Sequence, residues 1–530
     1  MRLVLAAALL SLLSCKTRSD KPAPAARGTA AAAEAPDKKP GVIPLVRIGG
    51  RDWGYPSPYA FYPRGPGYVR MTLLFDTLVW RDEKGLVPWL ARRWEAAEGG
   101  RRWTVELRDD ARWHDGKPLT ADDVKFTFEY LKRYPHTWFD LSPVEGVDVA
   151  GPRRLVFRLA RPYAVFETRV LMRTPILPRH IWKDVDNPYT YAERAAVVGS
   201  GPFTLERYDR VQGSYVFRAN ERFFLGRPRV KRVAFVKTKT PAVALLKGEI
   251  DMTRILNVDA LGMFRGKPGF KILTAPDYWL FRLLVNFDKE PMARVGFRRA
   301  LAHAIDRAEM VKRVAHGGAV VGTFGYISPA SEWHNPRTAD YPHDPARARR
   351  LLDELGLRDE NGDGVRELGG GRPLSLVLLS DNRFARAAEV VRGYLEDVGI
   401  EVTIRSADVS THDSDIRKMK GFHLAVTAHG GVTGDLGNLT GGLPAIVGYR
   451  DPEFTRLVRE QPFMGDAAGR RRALHRIQEL IARDVATIPL YYLKWFHVYR
   501  PAAFDGWFYA RHGLPIGVQL LEKKLVFLRR

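Results

Sequence analysis

The sequence predicts an α/β protein built from more than one domain, and three observations carry that prediction. Residues 374–405 read as strand, helix and strand: "LSLVLLS", a helical face of Ala387, Val390, Val391 and Leu395, then Gly399 as a stop before "IEVTI". Parallel strands joined by a helical crossover are the unit of α/β layers. Elsewhere, alternating strands lead into capped helices, as at Trp103, Val105 and Leu107 ahead of Thr120. Finally, 530 residues at 45% hydrophobic can bury a large core divided among two or three domains.

The N-terminal residues are not part of that core. Leu3 to Leu13 is an apolar run behind the single basic residue Arg2. As a helix it would rise only roughly 16 Å, about half a bilayer core, so residues 1–14 read as a signal peptide and not as a permanent span. Cys15 is the only cysteine in the chain and can have no intramolecular disulfide partner. With Leu12, Leu13 and Ser14 it resembles a bacterial lipobox, in which the cysteine is acylated and becomes the mature N-terminus. Leu13 departs from the small or β-branched residue usual there, and an ordinary signal peptide containing a cysteine is the bland alternative. Residues 15–43 are rich in Ala, Pro and Lys, with no aromatic residue and no periodic apolar face up to Gly41. Such a segment cannot bury enough surface to order itself and reads as a flexible, lipid-anchored tether. The folded body starts near Ile43, where "IPLVRIGG" gives a first short strand.

Three later stretches carry most of the information. In "RRWTVELRDDARWHDGKPLTADDVKFTFEYLKR", a half-buried strand is followed by an Asp115–Gly116 turn. Thr120 and Asp123 then form a capping box for a helix striped by Val124, Phe128 and Leu131. His114 and Asp115 could be half of a catalytic dyad, but no serine or cysteine nucleophile motif accompanies them. In "GSGPFTLERYDRVQGSYVFRANERFFLGRPRVKRVAFVKTKTPAVALLKGEIDM", a tight Gly199–Pro202 turn precedes three strands and a helix with Ala242, Leu245 and Leu246 inward. No GK[ST] follows Gly199 and Gly201, so a phosphate loop is excluded. In "LFRLLVNFDKEPMARVGFRRALAHAIDRAEMVKRVAHGG", Leu283, Val285 and Phe287 alternate as a strand. Phe297, Leu301, Ala304 and Ile305 then line a helix, Asp306 and Glu309 form a second capping box, and Gly317–Gly318 ends the run.

In this order and spacing the three stretches resemble the family 5 extracellular solute-binding proteins, the dipeptide, oligopeptide and nickel receptors of ABC importers. The likeness continues through "YPHDPARARRLLDELGL" to "IPLYYLKWFHVYRPAAFDGW" and covers essentially residues 44–530. It implies a two-lobed, periplasmic-binding-protein-like fold with an inserted subdomain and a ligand cleft between the lobes. The expected limits are 44–80 with 195–285 and 495–530 for lobe I, 81–194 for its inserted subdomain, and 286–494 for lobe II. It also implies a monomer tethered by Cys15 on the periplasmic or outer face of a bacterial membrane. Its partners would be a small-molecule or peptide ligand and an ABC permease in the inner membrane.

The ligand contacts expected from the sequence come from two places and one analogy. "GRDWGYPSPYAFYPRGPGY", residues 50–68, follows the first strand, and loops after the strands of such lobes face the cleft. Trp53, Tyr55, Tyr59, Phe61 and Tyr62 therefore either pack on a ligand or form a buried surface under a loop. Tyr278 and Trp279 precede the strand Leu283 to Asn286 and lie near the cleft by family analogy. Peptide-binding relatives hold the peptide ammonium group with an aspartate in the second lobe. Asp435 is the carboxylate in the matching loop "GGVTGDLGNL", without the neighbouring tryptophan and acidic residues of those relatives.

Other chemistry finds little support. Asp359, Asn361, Asp363 and Gly364 occupy EF-hand positions 1, 3, 5 and 6, but position 12 is Gly370 where a bidentate glutamate is needed. A polar turn is the simpler reading of residues 359–370. The 13 histidines include no HExxH, and His423 and His429, which could both face a cleft, are six residues apart. No metal and no cofactor are expected. The net charge of +24 is spread along the chain without a zinc or helix-turn-helix pattern, so it reads as a solvated basic surface and not as a nucleic-acid site. The expected function is capture of a small solute, peptide-like or cationic, for an ABC permease, without catalysis. Two alternatives from other classes are a secreted hydrolase and a surface lipoprotein that recruits a protein partner.

Overall fold

The strand Val46–Gly50 is the hub of a seven-stranded sheet. Its neighbours Arg232–Lys237 and Met252–Ile255 both run parallel to it, although they lie about two hundred residues away in sequence. Ser214–Ala219 and Phe203–Asp209 extend the sheet antiparallel on one side, and Phe496–Tyr499 with Lys271–Thr274 on the other. Val46 and Ile48 are buried while Arg47 between them is partly exposed, as period-two alternation on one covered face requires. The computed structural model describes residues 42–530 except 137, 256–257, 277–278, 431–438, 440–445, 447, 516 and 529–530. Cys15 and the signal and tether segments up to Gly41 lie outside the described residues. Ile43, expected as the last tether residue, already bridges Val230.

A six-stranded sheet forms the second layer system, in the order Ala319–Val321, Thr487–Leu493, Trp279–Val285, Leu424–His429, Ser375–Asp381, Glu401–Ala407. The βαβ unit expected at 374–405 is present: Ser375–Asp381 and Glu401–Ala407 pair in parallel along seven registers, with the helix Ala385–Glu396 between them. Ala387, Val391 and Leu395 are buried against the sheet and Val390 is half-buried. Trp279–Val285 is flanked on both sides by antiparallel ladders of this sheet. The expected boundary at 285 placed that strand with lobe I; its ladders place it in the second sheet. The chain thus passes between the two large sheets twice, between Thr274 and Trp279 and between Leu493 and Phe496.

The segment 81–194 contributes a four-stranded antiparallel sheet, Ala91–Ala97, Arg102–Leu107, Arg154–Leu159 and Val144–Gly151. Helix Ala121–Arg133 covers it, burying Val124, Phe128 and Leu131; Phe128 meets Phe157 edge-on at 4.9 Å. Its start is the expected capping box, with the Thr120 N–H donating to Asp123 Oδ2 at 2.9 Å. The other Asp123 oxygen accepts from the Arg179 N–H at 3.0 Å.

The Gly199–Pro202 turn proves to be a packing device. A β-carbon on Gly199 would lie 2.0 Å from the Leu74 carbonyl oxygen, and one on Gly201 would lie 2.5 Å from that of Leu73. Half-buried His114 donates from Nε2 to the Gly201 carbonyl at 3.0 Å and accepts at Nδ1 from the Gly199 N–H at 3.2 Å. Burial lowers its pKa. This histidine holds a turn.

The C-terminal segment is pinned by a buried charge cluster. Lys524 Nζ is 2.6 Å from Asp76 Oδ1, which also accepts from Trp89 Nε1 at 2.6 Å; Asp76 Oδ2 accepts from Ser200 Oγ at 2.9 Å. The ammonium also sits 4.4 Å over Trp80 and 4.6 Å over Trp89. Satisfying a buried carboxylate on both oxygens is what makes such a pair tolerable in a core.

Candidate functional site: an aromatic cleft between the two large sheets

Where the chain crosses between the sheets, a cavity of about 1220 Å³ opens. Its walls come from the loop after the first strand, residues 51–66, from both crossings, and from the starts of helices Ala385–Glu396 and Val409–Lys418. Trp279 and Trp495 mark the two crossings, with ring centroids 4.7 Å apart. Gly430 lies against Trp279: an added β-carbon would be 2.8 Å from the indole.

The 51–66 loop is fixed from below. Asp52 Oδ1 accepts from Tyr215 Oη at 2.7 Å, Tyr208 Oη at 3.0 Å and the Gly54 N–H at 3.0 Å. Burial pushes this carboxyl up, but those hydrogen bonds outweigh it and hold Asp52 below its ordinary value. Tyr215 Oη also meets the Trp53 N–H at 2.7 Å. The strands of the seven-stranded sheet thereby set the height of the aromatic loop.

Of the five loop aromatics expected at a ligand, the structure brings Trp53, Tyr55, Phe61 and Tyr62 to the cavity wall. Trp53 and Tyr62 rings lie 6.0 Å apart, and Tyr62 is half exposed. Tyr59 is elsewhere. It is buried among Tyr130, His136, Trp182 and Tyr189, and its hydroxyl donates to the Tyr134 carbonyl at 2.7 Å. It is a core residue, because the turn at 56–60 rolls its side chain under the loop. Trp279 lines the cavity; Tyr278 and Asp435 lie outside the described residues.

Sequence reasoning missed the polar half of the wall. Arg51, Arg64, Arg210, Arg254 and Arg383 all line the cavity, and Asp52 is its one carboxylate among the described lining residues. Nothing local distinguishes these arginines from the rest of a diffuse basic excess. Two of them are engaged: Arg64 is 2.5 Å from Asp413, and Arg383 is 2.5 Å from Asp381 and 3.8 Å from Asp413. The Arg64–Asp413 pair ties the loop of the first sheet to helix Val409–Lys418 of the second. Burial pushes the Asp413 carboxyl up, but the His412 ring and the charges of Arg64 and Arg383 hold it below its ordinary value.

Two further groups expected to be polar turn features or cleft residues are occupied by the fold itself. Asp359, Asp363 and Glu367 bring carboxylate oxygens within 4.8 Å of one another. Asp359 already accepts from the Gly362 and Gly364 N–H groups, Asp363 from that of Val365, and Glu367 from that of Glu360. His423 Nδ1 accepts from the Val377 N–H at 2.9 Å, and buried His429 is 2.6 Å from Tyr326 Oη with its pKa pushed down to about 3 by burial. Neither histidine lines the cavity.

Comparison with known proteins follows the same architecture. The family model for "Bacterial extracellular solute-binding proteins, family 5 Middle" matches residues 85–443. The oligopeptide-binding protein AppA of Bacillus subtilis is 28% identical over 469 residues, covering 82% of this chain and 84% of the relative. The nickel-binding periplasmic protein of Escherichia coli is 24% identical over 357 residues, covering 64% and 67%. Among solved structures, NikA from Brucella suis in complex with Fe(III)-EDTA superimposes with a TM-score of 0.78 at 21% identity, over 90% of this chain and 100% of that one. AppA from B. subtilis in complex with a nonapeptide gives 0.75 at 23% identity, over 92% and 99%.

Proposed function

Since the chain belongs to the family 5 bacterial extracellular solute-binding proteins, which capture a solute for an ABC transporter, we propose that its solute is peptide-like and binds in the aromatic cleft. The observation that carries this reading is the cavity itself. At about 1220 Å³ it exceeds the ~300–1,000 Å³ of most small-molecule pockets, and Trp53, Tyr55, Tyr62, Trp279 and Trp495 wall it with broad apolar faces. Rings of this kind bury the side chains of an extended ligand without demanding one identity at each place. The relatives named for peptides and nickel offer two precedents. The described lining residues include no histidine or cysteine, and the one carboxylate is held by two tyrosines. Of the peptide-like and cationic solutes expected from the sequence, these walls suit the peptide.

Trp53, Tyr55, Phe61, Tyr62 and Trp279 are the ligand contacts of this reading, and Asp435 remains its candidate for the ligand's ammonium group. The protein works as a monomer, enters the export path by residues 1–14, and is held by lipid on Cys15 outside the cytoplasm. Among the described residues no helix is long and apolar enough to cross a membrane, so the anchor is what keeps the receptor beside its permease. The lobe limits 44–80 with 195–285 and 495–530, 81–194 and 286–494 stand as a proposal, amended so that the strand Trp279–Val285 goes with the second lobe. The test is thermal melting of protein stripped of bound molecules by unfolding and refolding. Re-adding the molecules extracted from native protein should raise the melting temperature, as binding to the folded state alone requires. Trp279→Ala should abolish the shift; equal shifts in both proteins would remove the cleft from the account.

A further inference from the structure

Arg51, Arg210 and Arg254 meet no described carboxylate at contact distance, and of these Arg210 bears on the Asp52 charge, which leaves Arg51 and Arg254 to stand out in the cleft. Arg51 follows the first strand and Arg254 lies on its parallel neighbour Met252–Ile255, so two adjacent strands deliver two guanidiniums to one cavity wall. Each lies over a wall tryptophan, Arg51 Cζ 5.3 Å from the Trp53 centroid and Arg254 Cζ 4.1 Å from that of Trp495. A guanidinium held over an indole face is attracted through the ring and still has N–H donors for another partner. No described carboxylate comes within 4.0 Å of either, whereas Arg64, farther along the same loop as Arg51, and Arg383, on the second-sheet side, are both paired. Burial lowers the Arg254 pKa; Glu522 opposes this from beyond ion-pair distance, and the Arg51 charge adds to it. The two like charges therefore feel each other, and one remote carboxylate does not cancel both.

We propose that Arg51 and Arg254 form an oxyanion seat in the first-sheet wall of the cleft, so that the solute carries a carboxylate or phosphate group there. This rests on the cleft being the solute site. Two planar guanidiniums on one wall suit two-pronged hydrogen bonding to the oxygens of such a group. A charge-assisted contact from the part-buried Arg254 is worth about tenfold to a hundredfold in affinity, and the exposed Arg51 adds less. The seat makes the receptor selective for anionic or acidic peptide-like solutes, and it disfavours a purely cationic one.

The experiment titrates three C-terminally amidated tripeptides, whose only anionic group is the central side chain, by tryptophan fluorescence, since Trp53, Trp279 and Trp495 report on the cavity: Ala-Glu-Ala-amide, Ala-phosphoserine-Ala-amide and Ala-Gln-Ala-amide. Wild type should bind one of the two charged peptides at least about tenfold tighter than the glutamine peptide, the better one showing whether carboxylate or phosphate is preferred. Arg51→Gln with Arg254→Gln should erase that preference, while Arg254→Lys, which keeps the charge, should retain part of it. Melting temperatures control for folding. Equal binding of the three peptides, or a preference that survives the double substitution, overturns the seat. Where no tripeptide binds, the mass spectrum of the molecule that co-purifies decides. An anionic molecule lost from the double variant supports the seat. A molecule without an anionic group, held by both proteins, sinks it and leaves solute capture standing. Absence of any bound molecule removes both readings.

Discussion

Asp76 and Lys524 show how much a single pair can hold. Both side chains are fully buried, and the pair joins the C-terminal segment to the turn after the first-sheet helix Gly65–Leu74. Lys524→Met leaves the Asp76 carboxylate with its tryptophan and serine donors but no countercharge. Breaking a buried pair from one side costs about 3–5 kcal/mol, so the denaturation midpoint should fall sharply. Adding Asp76→Asn should restore much of the loss, since the uncompensated charge is then gone. A double variant no better than Lys524→Met would contradict the pairing. Tyr59 and Trp53 make a second contrast. Tyr59→Phe should lower stability by about 1 kcal/mol through its lost hydrogen bond and leave solute affinity unchanged. Trp53→Ala should do the reverse, and calorimetry beside melting separates the two. Both tyrosine and tryptophan sit in one aperiodic loop, so no sequence pattern says which faces the core.

At the scale of elements, legibility followed sequence distance. The capping box from Thr120 to Asp123 spans four residues, and the βαβ unit at 374–405 is contiguous; local chemistry specifies both. Asp123→Ala should cost about 2 kcal/mol, because it strands the Thr120 and Arg179 N–H groups together; an unchanged midpoint would show that water replaces the carboxylate at no cost. The strand Trp279–Val285 was legible only in part, since the alternation placed it at Leu283 to Asn286 with Trp279 ahead of it, and it was not legible as a member of the second sheet. Its partners Leu424–His429 and Thr487–Leu493 lie more than one hundred and two hundred residues away, and alternation says nothing about which distant edge a strand will meet. The cleft arginines were illegible for a related reason. With 84 Lys and Arg in the chain, only the meeting of remote strands separates a solvated arginine from one that faces a cavity.

For the whole molecule, the Arg64–Asp413 pair is the contact to watch, because it links the loop of one sheet to a helix of the other. Its sign with pH follows from the Asp413 carboxyl, held below its ordinary value of 3.8. A depressed carboxylate contributes stability that is present above that value and lost as the pH falls through the lower, folded one. Solute-free wild type should therefore expand in small-angle scattering as the solution is taken below the ordinary carboxylate range. Asp413→Asn should be expanded already at neutral pH and change less on acidification. Identical radii of gyration for the two proteins would show that the pair does not hold the cleft shut.

Membrane attachment belongs to the same scale. Cys15→Ser should leave the folded body intact and release it from membranes washed in high salt, which removes adhesion by the +24 net charge. Retention of the variant in the washed pellet would rule out the lipid anchor. The central claim, that the aromatic cleft between the two large sheets is where this receptor holds its solute, is tested most directly by native mass spectrometry. Protein expressed in its own host should carry an additional small-molecule mass that collisional activation releases, and Trp53→Ala combined with Trp279→Ala should be folded yet lack it. The same bound mass on wild type and double variant would contradict the claim.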